Sequence, residues 1–134
     1  MVSYGFSKTV AKATTEDNAD TVSIRVGKGI CRAVHLIIPP GCSGLVYVQM
    51  FYQNIQIFPV PRGTSVRGDG IQHEFTVEFP IYDEPRVIKM KIWNLDDTYS
   101  HTISGTITME EERKGETSTI EKLVNVIEKM MLWK

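Results

Sequence analysis

The chain has 134 residues, 42% of them hydrophobic and 23% charged, with a net charge of −1. That balance is the one expected of an ordinary soluble domain, and a single chain of this length buries roughly two-thirds of its unfolded surface, so neither disulfide nor metal is needed to hold a core. Near-neutral charge argues against nucleic acid as the main partner, because phosphate binding needs an excess of Lys and Arg. No apolar run approaches the ~18 residues of a membrane span, and the opening MVSYGFSKTV lacks the charged-then-apolar order of a secretion signal.

Alternation of apolar and polar residues marks strands, whose side chains point to opposite faces in turn. The first strand is expected over Val2 to Ala13, with Tyr4, Phe6 and Val10 on one parity. The polar loop Thr14 to Asp20 follows. Thr21 to Val26 places Val22, Ile24 and Val26 inside, and Gly27, Lys28 and Gly29 supply a turn able to take positive φ. Ile30 to Ile38 carries Ile30, Val34, Leu36 and Ile38 on one side, while Ala33 and Ile37 make its other face partly apolar. Pro39, Pro40 and Gly41 stop that strand.

Leu45 to Tyr52 is apolar on both faces, the pattern of a central strand or of one that meets a partner. Gln53 and Asn54 read as a hairpin turn into Ile55 to Phe58. Pro59 to Gly70 is the longest irregular loop, and long ordered loops often make contacts. Ile71 to Phe79 alternates, with His73, Phe75, Val77 and Phe79 expected inside. Pro85 to Met109 then reads as a β-hairpin at the centre of an antiparallel sheet. Ile88, Met90 and Ile92 form the oily face of its first strand, and Asn94 to Asp97 form the turn. Ile103, Ile107 and Met109 alternate with Thr102, Ser104, Thr106 and Thr108 in its second strand.

The last segment changes period. Ser118 and Glu121 have capping-box spacing, and Ile120, Leu123, Val124, Ile127, Met130 and Met131 recur as on an amphipathic helix. The expected fold is therefore mostly β: an antiparallel eight-stranded β-sandwich with a C-terminal amphipathic α-helix. Strand number favours a jelly roll, with an immunoglobulin-like sandwich as the alternative. The expected divisions are a sandwich over residues 1–109, a charged connector over 110–116 and the helix over 117–134. A sandwich covers its inner faces with its own strands. The helix stripe is thus read as an assembly interface, against the alternative that it folds back on its own sandwich.

Catalytic chemistry is not visible. The acids Asp83 and Glu84, Asp96 and Asp97, and Glu110 to Glu112 are adjacent in sequence rather than opposed across a cleft, as hydrolase chemistry requires. Asp96 and Asp97 supply only part of a calcium shell. His35, His73 and His101 sit on three different strands without zinc-ligand spacing. Cys31 and Cys42 bracket a strand whose ends lie more than about 20 Å apart at ~3.3 Å per residue, so two free, mostly buried thiols are expected. Arg67, Gly68 and Asp69 spell the tripeptide of integrin ligands, in a loop where Arg62, Arg67 and Asp69 are possible partner contacts. Tyr47, Phe51, Tyr52, Phe58, Trp93 and Tyr99 are the candidate aromatic platform for a sugar.

Three stretches, Ile38 to Gly44, Gln56 to Pro59 and Trp93 to Thr102, together with the eight-strand layout, resemble small β-sandwich accessory or capsid-decorating proteins of tailed phages and related viruses. The resemblance covers about residues 20 to 109. It implies a non-enzymatic structural protein that decorates or stabilises an assembled capsid or virion surface through protein–protein contacts. Its partners would be a viral capsid or other virion protein and further copies of itself, with no cofactor, nucleic acid or membrane. It would be assembled in the host cytoplasm and reside in the virion. The alternative expectation is a carbohydrate-binding or adhesion module.

Overall fold

The computed structural model describes residues 1–112. Eight strands form two four-stranded antiparallel sheets packed face to face. They are β1 (Val2–Val10), β2 (Asp20–Arg25), β3 (Gly29–Ile38), β4 (Val46–Tyr52), β5 (Ile55–Phe58), β6 (Ile71–Ile81), β7 (Val87–Asn94) and β8 (His101–Glu111). A front sheet has the order β1-β8-β3-β6, and a back sheet has the order β2-β7-β4-β5. The pairing is nested: β1 with β8, β2 with β7, β3 with β6, β4 with β5. The expected C-terminal helix and its stripe Ile120, Leu123, Val124, Ile127, Met130 and Met131 lie outside the described residues.

The core fills the space between the sheets. Val34 and Leu36 from β3, and Ile103, Ile107 and Met109 from β8, face Val46, Val48 and Met50 from β4 and Ile88, Met90 and Ile92 from β7, all without solvent exposure. The expected core residues of the 85–109 stretch are therefore in place, but their connection is not. β7 and β8 do not pair with each other; they belong to different sheets. Residues 95–100 carry the chain across the sandwich, and β8 begins only at His101. The same alternation serves a hairpin and an arch between sheets, because both bury one parity.

The turn at Gly27 to Gly29 is likewise an arch, from the back sheet to the front. Its glycines are not used for positive φ, which occurs at Gly41, Gly44, Gly63 and Gly70. They are used for close approach. A Cβ on Gly29 would stand 2.2 Å from the Glu110 carbonyl oxygen, and one on Gly27 would stand 2.6 Å from the Glu111 carboxyl. β8 thus runs through Glu110 and Glu111, where a connector was expected. Glu111 accepts hydrogen bonds from the Tyr4 hydroxyl and from the Gly27 amide, the latter at 3.0 Å. The hairpin at Gln53 and Asn54 is as expected, with both residues at positive φ, 48° and 64°.

Two inward assignments change. A register shift between Cys31 and Ala33 reverses parity, so Cys31 is buried while Ile30 is not. Bulges do this by inserting an unpaired residue. His73 is exposed because β6 is an edge strand and the facing edge, β5, has only four residues. Both thiols are free and buried; burial pushes the Cys31 thiol up to about 11.

Two substitutions test this packing. Ile92→Ala should cost about 2–5 kcal/mol in urea unfolding, the usual transfer and cavity penalty. Gly105→Ala should cost about 1–3 kcal/mol, a typical overpacking penalty. Its Cβ would stand 2.1 Å from the His35 carbonyl oxygen and 3.1 Å from the Phe6 ring. A Gly105→Ala midpoint equal to that of the parent chain would contradict the close β3–β8 approach.

Candidate interaction site

The arch between β7 and β8 concentrates the polar chemistry of the described residues. Asn94 is fully buried. Its Nδ2 donates to the carbonyls of Val10 at 3.3 Å and Tyr99 at 2.9 Å, and its Oδ1 accepts from the Asp96 amide at 2.9 Å. Asp96 accepts in turn from the Thr98 amide at 2.9 Å, the Tyr99 amide at 3.3 Å and His101 Nε2 at 2.8 Å. The His101 bond and the amide bonds hold the Asp96 carboxyl below the usual carboxylate range. With both oxygens of Asp96 so engaged, the arch is a structural lock.

Burial and the nearby Asp69 and Asp96 carboxylates push the Cys42 thiol up, the opposite of what activates a nucleophile. His35 lies on the outer side of the front sheet, paired with Thr106 and Glu74. His73 lies on the opposite parity of β6, and His101 is held in the arch. The three histidines are not brought together. Among the described residues, no three His, Cys, Asp or Glu side chains converge as a metal site would require.

The Pro59–Gly70 loop is ordered from below by two buried glutamines. Gln49 and Gln56 both donate to the Thr64 carbonyl, at 3.0 and 2.9 Å, and Gln56 also binds Pro59 and Gly63. The Val66 amide and carbonyl then pair with Val48 of β4. In the Arg-Gly-Asp triplet, Arg67 Nε donates to the Gly44 carbonyl at 2.9 Å and its guanidinium lies 4.6 Å from the Tyr47 ring centroid. Asp69 Oδ1 accepts from the Gly41 amide at 2.6 Å. Both side chains clamp the loop after β3 to the loop after β5. Arg62 is exposed on the same loop, with no ion pair among the described residues.

The aromatic residues separate by parity. Tyr52 and Phe58 turn inward, where Tyr52 meets Phe79 and Phe58 meets Phe75. Tyr47, Phe51 and Trp93 lie on the outer side of the back sheet; Tyr47 and Trp93 stack with centroids 5.2 Å apart and planes 1° apart. Lys91 Nζ stands 5.3 Å from the Trp93 ring centroid. Tyr99 stands apart in the arch, 66% exposed.

The two outer faces differ in kind. On the back sheet Lys89 and Lys91 project beside these aromatics. On the front sheet Ser3, Ser7 and Thr9 of β1 pair across to Thr108, Ser104 and Thr102 of β8, with Gly5 opposite Thr106. Ala33, His35 and Ile37 of β3 continue the same side. None of these positions is Lys, Arg, Asp or Glu. No protein-family model matches the chain, and no curated protein matches it significantly.

The arch yields a prediction with a definite sign. Because the folded Asp96 carboxyl is depressed, its contribution to stability is complete above the ordinary value of 3.8 and is lost as pH falls below it, through the folded value. Urea unfolding of the parent chain should therefore steepen in pH dependence below that point. Asp96→Asn should be less stable at pH 7 and lack that part of the acid dependence. Parallel curves for the two proteins would refute the assignment.

Proposed function

We propose that the chain is a non-enzymatic structural protein of a virus particle, decorating or stabilising an assembled capsid or virion surface through protein–protein contacts. The finer fold class belongs to the same reading. Four nested antiparallel pairs wrapped into two sheets correspond to a jelly roll rather than an immunoglobulin-like sandwich, and jelly rolls build many viral capsids as well as lectin domains. Because one fold hosts many functions, the reading rests on a surface.

The observation that carries it is the uncharged part of the front face formed by β1, β8 and β3. In a chain that is 23% charged, the outer side of β1 from Ser3 to Thr9, that of β8 from Thr102 to Thr108, and the Ala33, His35 and Ile37 side of β3 carry no formal charge apart from any proton on His35. Side chains on β1 and β8 are no larger than Thr there, so the surface is smooth. Interface centres are depleted of charge in this way, and packing such a face against another sheet leaves no ion to desolvate. Charged residues stand at its margin: Glu74 of β6 lies opposite His35, and Arg32 bridges Glu110 at 2.5 Å and Glu78 at 3.3 Å. In this reading the face packs against a neighbouring copy or the particle surface, as a homo-oligomer of the virion.

The test is a single charge at the centre. Ser104 sits between Ser7 and Ile37 on this side, and Ser104→Lys should leave the urea midpoint within about 0.5 kcal/mol, as for most surface changes. In sedimentation at matched concentration, the parent chain should run as an oligomer and the variant as a monomer. A parent chain that is monomeric at tens of micromolar, or an oligomer indifferent to the lysine, would overturn the assignment of this face.

A further inference from the structure

The outer side of the back sheet carries a groove of different chemistry. Two adjoining depressions, of about 230 and 360 Å³, share Asn54 and Lys89. The half-buried ring of Phe51, the cross-strand partner of Lys89, lines the first together with Thr21 and Lys91. The second continues past the β4–β5 hairpin toward Glu84 and Pro85.

The charges along this groove sort themselves. Lys91 stands 3.6 Å from the Glu16 carboxylate, and Arg86 holds the Glu84 carboxylate at 2.7 Å. Lys89, exposed, makes no ion pair among the described residues. The hairpin amides divide in the same way. Gln53 Nε2 lies within hydrogen-bond reach of the Tyr52 hydroxyl and the carbonyls of Asp83 and Glu84. Asn54, at positive φ on the hairpin tip, is exposed and spends no side-chain hydrogen bond among the described residues. An uncommitted ammonium and an uncommitted amide therefore stand beside an aromatic ring, where the two depressions meet.

We propose that this groove binds a carboxylate-bearing oligosaccharide of the uronic-acid type. The apolar face of a sugar ring lies on Phe51, its hydroxyls meet Asn54 and Thr21, and a carboxylate meets Lys89. A lysine is a point charge that needs only one anionic group on the ligand, which the carboxylate of a uronic acid supplies. An acidic peptide would use the ammonium but leave ring and amide without a role. Two depressions in line suit a chain of sugar units rather than one. This reading uses the back sheet alone and does not depend on the assembly proposed for the front sheet.

The experiment is titration of the full chain with oligogalacturonate, with neutral galacto-oligosaccharide, monomeric galacturonate and polyglutamate as the comparisons. Oligogalacturonate should bind, and each comparison should bind at least about tenfold more weakly, the scale of one charge-assisted hydrogen bond. Lys89→Gln should weaken oligogalacturonate binding by a similar factor with an unchanged unfolding midpoint. Phe51→Leu, which keeps an apolar floor without a ring, should also weaken it. Polyglutamate or the monomer binding as well as oligogalacturonate, an unaltered Lys89→Gln affinity, or no binding by the parent chain would overturn the proposal.

Discussion

The buried amide of Asn94 is the constraint on which the topology turns. A nested sandwich requires the chain to cross between sheets where β1 leads to β2 and again where β7 leads to β8. Both crossings meet at Asn94. The Thr14 amide donates to the Asn94 carbonyl at 2.7 Å and the Asn94 amide donates back to Thr14 at 3.1 Å, while the Ala13 amide donates to Asp96 at 2.7 Å. Asn94 Nδ2 reaches the end of β1 at Val10. Backbone groups at such a crossing have left their ladders and would otherwise be buried without partners, at about 1–3 kcal/mol each. One amide side chain, with both donors and its acceptor used, joins the last residue of β1, the end of β7 and the arch into β8.

Asn94 also explains where sequence reasoning went right and where it failed. Asx chemistry was legible: Asn94 and Asp96 do bond backbone groups two residues on. What was not legible was the destination of the chain. Alternation reports which parity is buried, and Ile88, Met90, Ile92, Ile103 and Ile107 were readable for that reason. It does not report which strand lies alongside, because a sandwich buries the same parity whether consecutive strands pair or face one another. The bulge at Arg32 and the exposure of His73 were hidden for related reasons. Both depend on neighbouring strands, one on a shifted register and the other on the shortness of β5.

The candidate surfaces were partly legible in the same sense. Tyr47 and Phe51 share a parity and Tyr52 does not, so the aromatic platform divides by a rule the sequence already contains. The Ser and Thr parity of β8 was visible too, and its match to Ser3, Ser7 and Thr9 needed only the β1–β8 register. The roles of Arg67 and Asp69 were beyond reach. Their partners are the carbonyl of Gly44 and the amide of Gly41, and backbone groups leave no mark on composition. The charged triplet that reads as contact chemistry in the sequence also joins two loops in the fold.

The two sheets bury equivalent inner faces yet present unlike outer ones, and the difference follows from what lies over each. On the back sheet Val66 extends the ladder beside Val48, and Arg67 reaches over the Tyr47 ring. With Lys91 of β7 over Trp93, cations cover the aromatic rings there, and a groove lies beyond them. On the front sheet β1 and β8 have only short polar or small side chains on their outer sides between Thr102 and Thr108, and His35 and Ile37 of β3 stand beside them. A smooth uncharged face has little with which to hold a small flexible ligand, but it can meet another smooth surface over a wide area. A groove whose Lys89 ammonium has no ion pair among the described residues is suited to the reverse task. Each surface can therefore be altered by one exposed residue without touching the core, and the two can be tested separately in one protein.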